Sequence, residues 1–389
     1  MRTLYQTYET LLQNTTTGFK RYLYNEIKWD NRMIGIIGAR GVGKTTMILQ
    51  YIKENLDHKK ALYVSADDMY FSENRLVDLA DEFYKSAGEY LFIDEIHKYA
   101  NWSRELKNIY DSFPSLQIVF TGSSVLDILK GSADLSRRAI VYKLYGLSFR
   151  EFLQLFHNYQ TEVYSLKQII NNEVKLKDII HPLPLFDDYL KRGYYPFGLE
   201  NDMNIRLGQI IVHTLETDIP QYANLNVGTS RKLKKLLSII AESVPFKPNF
   251  SKISEMIGVS RNSLDDYFSY MDKAGLISQL RNETSGIRGL GKVDKIYLDN
   301  TNIIYNLAGE KSNASNIRET FFLNQMRVRN EVTSSKKADF SIDESTFEIG
   351  GKNKQQKQIE KVRKSYVVKD NIEFGYQNVI PLWAFGFNY

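Results

Sequence analysis

The segment Gly38-Ala39-Arg40-Gly41-Val42-Gly43-Lys44-Thr45 fits the pattern G-x-x-x-x-G-K-[ST] without a mismatch. Glycines at those positions let successive N–H groups turn inward towards phosphate oxygens, and a helix starting near Lys44 would add its positive end. In that arrangement Lys44 neutralises β- and γ-phosphate charge and the Thr45 hydroxyl ligates Mg²⁺, with Thr46 following on the helix. Fifty residues on, Asp94-Glu95 closes the apolar run Tyr90-Leu91-Phe92-Ile93. An acid pair at a strand end suits a metal-bound hydration shell (Asp94) and the polarisation of a water towards the γ-phosphate (Glu95). That pairing argues for hydrolysis as well as binding. Thr121-Gly122-Ser123-Ser124 ends a further apolar run, and Ser123 could contact the γ-phosphate or the attacking water, a helix N-cap being the other role open to these serines. Arg137-Arg138 could stabilise γ-phosphate charge, within the chain or from a neighbouring subunit, or could be surface arginines.

These residues need a scaffold that brings strand ends together. The runs Met33–Ile37, Ala61–Val64, Tyr90–Ile93 and Gln117–Phe120 are too short for helices and suit strands buried on both faces. Each ends in polar residues, and helical patterns lie between them. Alternation of this kind predicts a parallel, doubly wound α/β sheet that binds ligands at its carboxyl edge.

At 389 residues the chain is long enough for two or three domains, and its 43% hydrophobic and 25% charged residues are ordinary for a globular protein. No apolar run approaches 18 residues, and Met1–Thr7 lacks the apolar core of a secretion signal, so neither a membrane span nor export is expected. The absence of cysteine excludes disulfides and thiolate metal sites and fits a reducing cytoplasm. The five histidines show no metal-ligand spacing. Net charge is unevenly spread: residues 1–228 carry −2, whereas residues 229–292 and 311–370 each carry +5. A polyanion such as DNA would be drawn to the C-terminal half, and a merely solvated basic surface would show the same count.

Beyond the first sheet, residues from Ser148 to about 225 read as mainly helical. Asn249–Gln279 reads as helix, glycine turn, second helix and entry to a hairpin, the layout of a winged helix. Its candidate recognition helix, Arg261–Lys273, carries three acids against two bases, which opposes phosphate attraction, whereas Arg231-Lys232 and Lys234-Lys235 could meet phosphates from a neighbouring helix. From Lys295 onward, strands at Lys295–Leu298, Asp339–Ile342, Thr346–Ile349 and Ile380–Phe387 and a helix at Ile317–Arg327 predict a smaller α/β module.

Taken together, Gly38–Thr46, Phe92–His97, Phe120–Ser124 and Leu144–Phe152 resemble the AAA-type ATPases of bacteria and archaea, and more narrowly the subgroup whose C-terminal half is a domain of unknown function. The resemblance extends through Tyr189–Pro196, the winged-helix segment and Lys295–Asn300. It implies ATP as the nucleotide and Arg138 as the arginine that precedes the Leu-Ser-Phe-Arg-Glu-Phe segment. Two departures stand out: Ser136-Arg137-Arg138 replaces a Gly-Arg approach, and Gly146 replaces a proline. The resemblance also implies a C-terminal module similar to restriction endonucleases, in which Glu319, Asp339 and Glu348 would hold Mg²⁺. Gly350 stands where that pattern has lysine, with Lys352 and Lys354 the nearest alternatives, so the module is expected to be degenerate.

The sequence thus predicts a P-loop AAA-type ATPase domain over 1–147, a helical lid over 148–228, a winged helix over 229–292 and a degenerate nuclease-like module over 293–389. The expected function is Mg²⁺-dependent ATP hydrolysis driving a conformational switch on nucleic acid. The alternatives are an ATP-dependent protein-interaction switch and an ATP-regulated nuclease. Assembly of several copies is left open, since an arginine acting in trans would require it.

Overall fold

Met33–Ile37 (β1) is buried at every position, as a strand covered on both faces must be. In the computed structural model, which describes residues 1–122, 135, 137–242, 247–282, 292–309, 312–354 and 362–389, β1 pairs in parallel with both Gln117–Gly122 (β4) and Ile140–Lys143 (β5). Ala61–Ser65 (β2) and Tyr90–Asp94 (β3) complete a five-stranded parallel sheet in the order β2-β3-β4-β1-β5, an α/β arrangement matching a P-loop NTPase core. The helices Arg2–Asn14 (α1), Lys44–Asn55 (α2), Leu76–Lys85 (α3) and Trp102–Ser112 (α4) accompany it. The polar ends of β1, β3 and β4 meet at one edge because the strands run in parallel. β5 was not visible as an apolar run: it is a short edge strand with Ile140 and Val141 substantially exposed.

Residues 1–146 form one compact unit and residues 147–389 a second. In the second, Phe149–His157 (α5) opens with a capping box: Ser148 accepts from the Glu151 N–H, and Glu151 reaches back to the Ser148 N–H. Met203–His213 (α6) and Val227–Glu242 (α7) follow. Phe250–Ile257 (α8), a left-handed Gly258 and Arg261–Lys273 (α9) lead into an antiparallel hairpin, Ile277–Arg281 (β6) and Val293–Leu298 (β7). Thr301–Ala308 (α10) and Ala314–Met326 (α11) precede a mixed sheet. Its strands are Val332–Ser334 (β8), Phe340–Ile342 (β9), Ser345–Gly350 (β10), Ser365–Lys369 (β11) and Val379–Pro381 (β12), in that spatial order, antiparallel up to β10 and parallel beyond it.

One expectation needs correction. The strand expected over Ile380–Phe387 ends at Pro381, and Leu382–Phe387 forms a 3₁₀ helix buried at each position. An unbroken apolar run has no periodicity to separate the two. Residues 147–389, read from the sequence as a helical lid, a winged helix and a nuclease-like module, pack as one compact unit in which buried polar side chains join distant segments. Asn302 on α10 donates to Leu190 O (3.0 Å) and accepts from the Tyr194 N–H (2.9 Å). Ser148 Oγ (2.9 Å) and Arg150 Nε (2.8 Å) both donate to the Tyr389 carbonyl, joining the first helix of the unit to its last residues. Each link satisfies groups that would otherwise be buried without partners.

Candidate functional site

The loop Gly38–Gly43 joins β1 to α2, and local packing dictates its glycines. A Cβ on Gly38 would lie 2.3 Å from the Leu144 carbonyl oxygen. Gly43 caps α2 at φ 96°, a left-handed conformation that side chains disfavour. Ala39 and Arg40 are half-buried, Gly41 and Thr46 are exposed, and Val42 is buried. Arg21, itself buried, donates to Val42 O and to the carbonyls of Tyr145 (2.7 Å) and Gly146 (2.8 Å), which anchors the loop to the chain leaving β5. Sequence reasoning missed Arg21, since nothing in its spacing marks it.

Lys44 is buried, and its ammonium donates to Gly38 O (2.9 Å) and Ala39 O (3.1 Å), so the charge lies within the loop that would wrap phosphates. Thr45 Oγ1 donates to Asp94 Oδ2 at 2.5 Å, bringing together the two residues expected to hold a metal. A hydroxyl against a carboxylate is a hard-oxygen pair and fits Mg²⁺. Three more donors surround Asp94. Tyr63 Oη donates to Oδ2 (2.8 Å), Thr121 Oγ1 donates to Oδ1, and the Glu95 N–H also reaches Oδ1 (3.1 Å). Tyr63 pairs with Phe92 across β2 and β3, on the face that carries Asp94 two residues further on, so its hydroxyl reaches the acid diagonally. Burial and the Asp94 charge push the Tyr63 phenol far above its ordinary range, so it stays protonated as a donor.

Glu95 takes a left-handed backbone (φ 50°) at the end of β3, a strained conformation of the kind that clusters at working sites. Its carboxylate lies 3.5 Å from His97 Nε2, and the His97 ring is buried. Ser123 lies outside the described residues. Arg138 stands apart from the cradle. Its guanidinium makes two 2.9 Å bonds to Asp111 at the end of α4. Arg32, just before β1, stacks on Tyr110 at the same edge, 3.7 Å from the ring centroid. Since β5 runs parallel to β1 with Ile34 opposite Ile140 and Ile37 opposite Lys143, Arg138 occupies the amino edge of the sheet. The cradle begins at Gly38 on the carboxyl edge, six residues along from the position opposite Arg138, or roughly 20 Å at ~3.3 Å per residue. The structure therefore brings Lys44, Thr45, Asp94 and Glu95 together and leaves Arg138 out.

In the second unit two of the three carboxylates singled out from the sequence share one lysine, and a second lysine meets the third. Lys295 Nζ on β7 lies 3.6 Å from Glu319 and 3.5 Å from Asp339, and Tyr297 Oη donates to Glu319 (2.7 Å). Lys354 Nζ lies 2.5 Å from Glu348. A Cβ on Gly350 would meet the Lys354 stem at 2.6–2.7 Å, so the lysine four residues on covers the glycine that stands at the expected lysine position. Burial pushes Glu319 and Glu348 above the usual carboxylate range. Among the described residues, no group of three His, Cys, Asp or Glu side chains could hold a metal, and no helix is long and apolar enough to cross a membrane.

Comparison with known proteins agrees with the first unit. Residues 30–153 match the family model of an AAA domain, and residues 183–314 match that of a domain of unknown function. The chain thus carries an AAA-type P-loop domain, a nucleotide-binding fold that implies ATP binding, followed by a domain of unknown function. An uncharacterized protein of Methanocaldococcus jannaschii is 27% identical over 67% of this chain, which spans 58% of that relative's length. A second from the same organism is 25% identical over 90% of this chain and 80% of its own length. Among solved structures, a Walker-type ATPase of Pyrococcus abyssi is similar at 14% identity and a TM-score of 0.44, over 74% of this chain and 95% of that one.

Proposed function

We propose that residues 1–146 hydrolyse ATP to ADP and phosphate with Mg²⁺, and that the cycle drives a conformational switch acting on nucleic acid. The observation that carries hydrolysis is the 2.5 Å contact of Thr45 with Asp94, with Glu95 next to it at the strand end. Lys44 holds phosphate charge, Thr45 and Asp94 hold the cation, and Glu95 accepts the proton of the attacking water. Bound there, Mg²⁺ neutralises charge that develops on the phosphate oxygens. Arg138, on the far edge of the sheet, acts in trans on the nucleotide of a neighbouring copy.

The nucleic-acid target rests on the net +5 of residues 229–292 and again of 311–370. A protein target is the second reading, and a specific observation favours it: Asp265 and Asp266 are exposed on α9, the helix that would read a groove. Phosphodiester cleavage forms no part of the proposal. The test is steady-state ATPase activity with and without single- and double-stranded DNA at low and moderate salt, with Lys44→Ala as background. Activity lost in Lys44→Ala supports hydrolysis at this site. Stimulation by DNA that fades with salt supports a nucleic-acid target, and activity indifferent to DNA refutes it.

A further inference from the structure

The Asp94 carboxylate is saturated. Ionised, it offers about four hydrogen-bond positions, and four protein donors occupy them: Thr45 and Tyr63 on Oδ2, Thr121 and the Glu95 N–H on Oδ1. If Asp94 is also to accept from the hydration shell of a cation, one of these donors has to give way. Three have reasons to stay. Thr45 can offer its oxygen to a cation while its proton remains on Asp94. The Glu95 N–H is fixed by the backbone, and Thr121 Oγ1 also accepts from that N–H (3.3 Å), closing a small ring of bonds. Tyr63 has no such tie: it reaches the acid from the neighbouring strand by a phenol at the end of a long side chain.

We propose that Tyr63 is a latch on Asp94, holding the acceptor position that the cation's hydration shell requires and releasing it when Mg²⁺ and nucleotide enter together. The inference rests on the reading of this site as an Mg²⁺–ATP site. The latch serves two ends. It keeps a buried carboxylate satisfied before ligand arrives, which avoids the penalty of an unpaired buried charge. It also sets the Mg²⁺ requirement, since cation binding must displace a bond that already exists. Linkage gives the sign: a contact present before binding and absent after it weakens binding, so its removal strengthens binding. Tyr63→Phe keeps the ring and deletes only the hydroxyl.

The test is binding of a fluorescent, non-hydrolysable ATP analogue to the full chain, titrated with Mg²⁺, for wild type and Tyr63→Phe. The variant is expected to reach half-saturation at about tenfold lower Mg²⁺, the order set by one charge-assisted hydrogen bond, with its binding in EDTA unchanged. An equal or higher Mg²⁺ requirement overturns the latch. Should the wild type show no Mg²⁺-dependent binding, both the site reading and the latch fall; where the wild type does and the variant matches it, the latch alone falls. A second measurement needs no deletion. Fluorotyrosine placed at position 63 alone should give a ¹⁹F signal that shifts when analogue and Mg²⁺ are added together and stays in place with analogue in EDTA. An identical signal in the two conditions also overturns the latch.

Discussion

Glu95→Gln separates binding from chemistry at the site. The substitution keeps the volume of the side chain and asks nothing new of the left-handed backbone at φ 50°. It removes only the capacity to accept a proton from water. General-base catalysis contributes roughly 10²–10⁴-fold, or about 2.7–5.5 kcal/mol of barrier at ~1.36 kcal/mol per decade. Stability should barely move: the His97 ring is 3.5 Å away, the Glu95 side chain is 24% exposed, and such partly exposed pairs contribute about 0–1 kcal/mol. Lys44, Thr45 and Asp94 are untouched, so ATP should bind as it does to the wild type. The assay is single-turnover hydrolysis with protein in excess over ATP, alongside retention of bound nucleotide on a filter. The expected result is full retention with hydrolysis slowed 100-fold or more. Hydrolysis at the wild-type rate would refute the role of Glu95, and lost retention would mean that the carboxylate supports the fold of the loop.

Three other perturbations test different parts of the molecule. Gly38→Ala forces a Cβ to within 2.3 Å of a backbone oxygen, and should cost about 1–3 kcal/mol, read as a lower unfolding midpoint in urea. Arg138→Ala should lower hydrolysis without weakening nucleotide binding. Mixed with Glu95→Gln it should recover activity, because the Glu95→Gln copy donates Arg138 to the intact site of its neighbour; no recovery on mixing argues against action in trans. For pH, burial raises Glu319, so between its ordinary and raised values the folded protein keeps a proton that the unfolded chain releases. Stability must then fall as pH rises through that window. Thermal melts across it should show that decline in the wild type and a shallower one in Glu319→Gln, the remainder coming from Glu348, which burial also raises.

What could be read in the sequence was what spacing along the chain controls. The cradle and the acid pair are contiguous motifs, each ending a buried apolar strand, and they appear where such runs place them. Tyr63, Arg21 and Lys295 were illegible for the opposite reason: each acts across the fold, on a residue 31, 21 or 24 positions away. Tyr63 left one trace. It is a hydroxyl-bearing aromatic on the strand beside the acid pair, and once the register of β2 and β3 is known its face is determined. Gly350 shows the limit of spacing rules most clearly. Counting along the chain finds glycine where lysine is expected, whereas in space the Lys354 stem fills that place and its ammonium reaches Glu348.

The same distinction between chain and space bears on the basic charge of the C-terminal half. Lys232 and Lys235 donate to Gly258 O (3.0 Å) and Met256 O (2.7 Å), the exposed carbonyls where α8 ends. Lys234 pairs with Glu216 at 2.5 Å. Lys295 and Lys354 serve Glu319, Asp339 and Glu348. These five lysines enter the formal net charge in full, yet each already has an intramolecular partner, and two of them compensate buried acids. A charge count therefore overstates the surface that would draw in a polyanion. Because affinity falls with salt at a log–log slope of about −0.9 per phosphate neutralised on duplex DNA, this arrangement calls for a shallow salt dependence in any DNA stimulation of the ATPase. A steep one would place the phosphate contacts on basic residues other than these five, and would make them the ones to mutate.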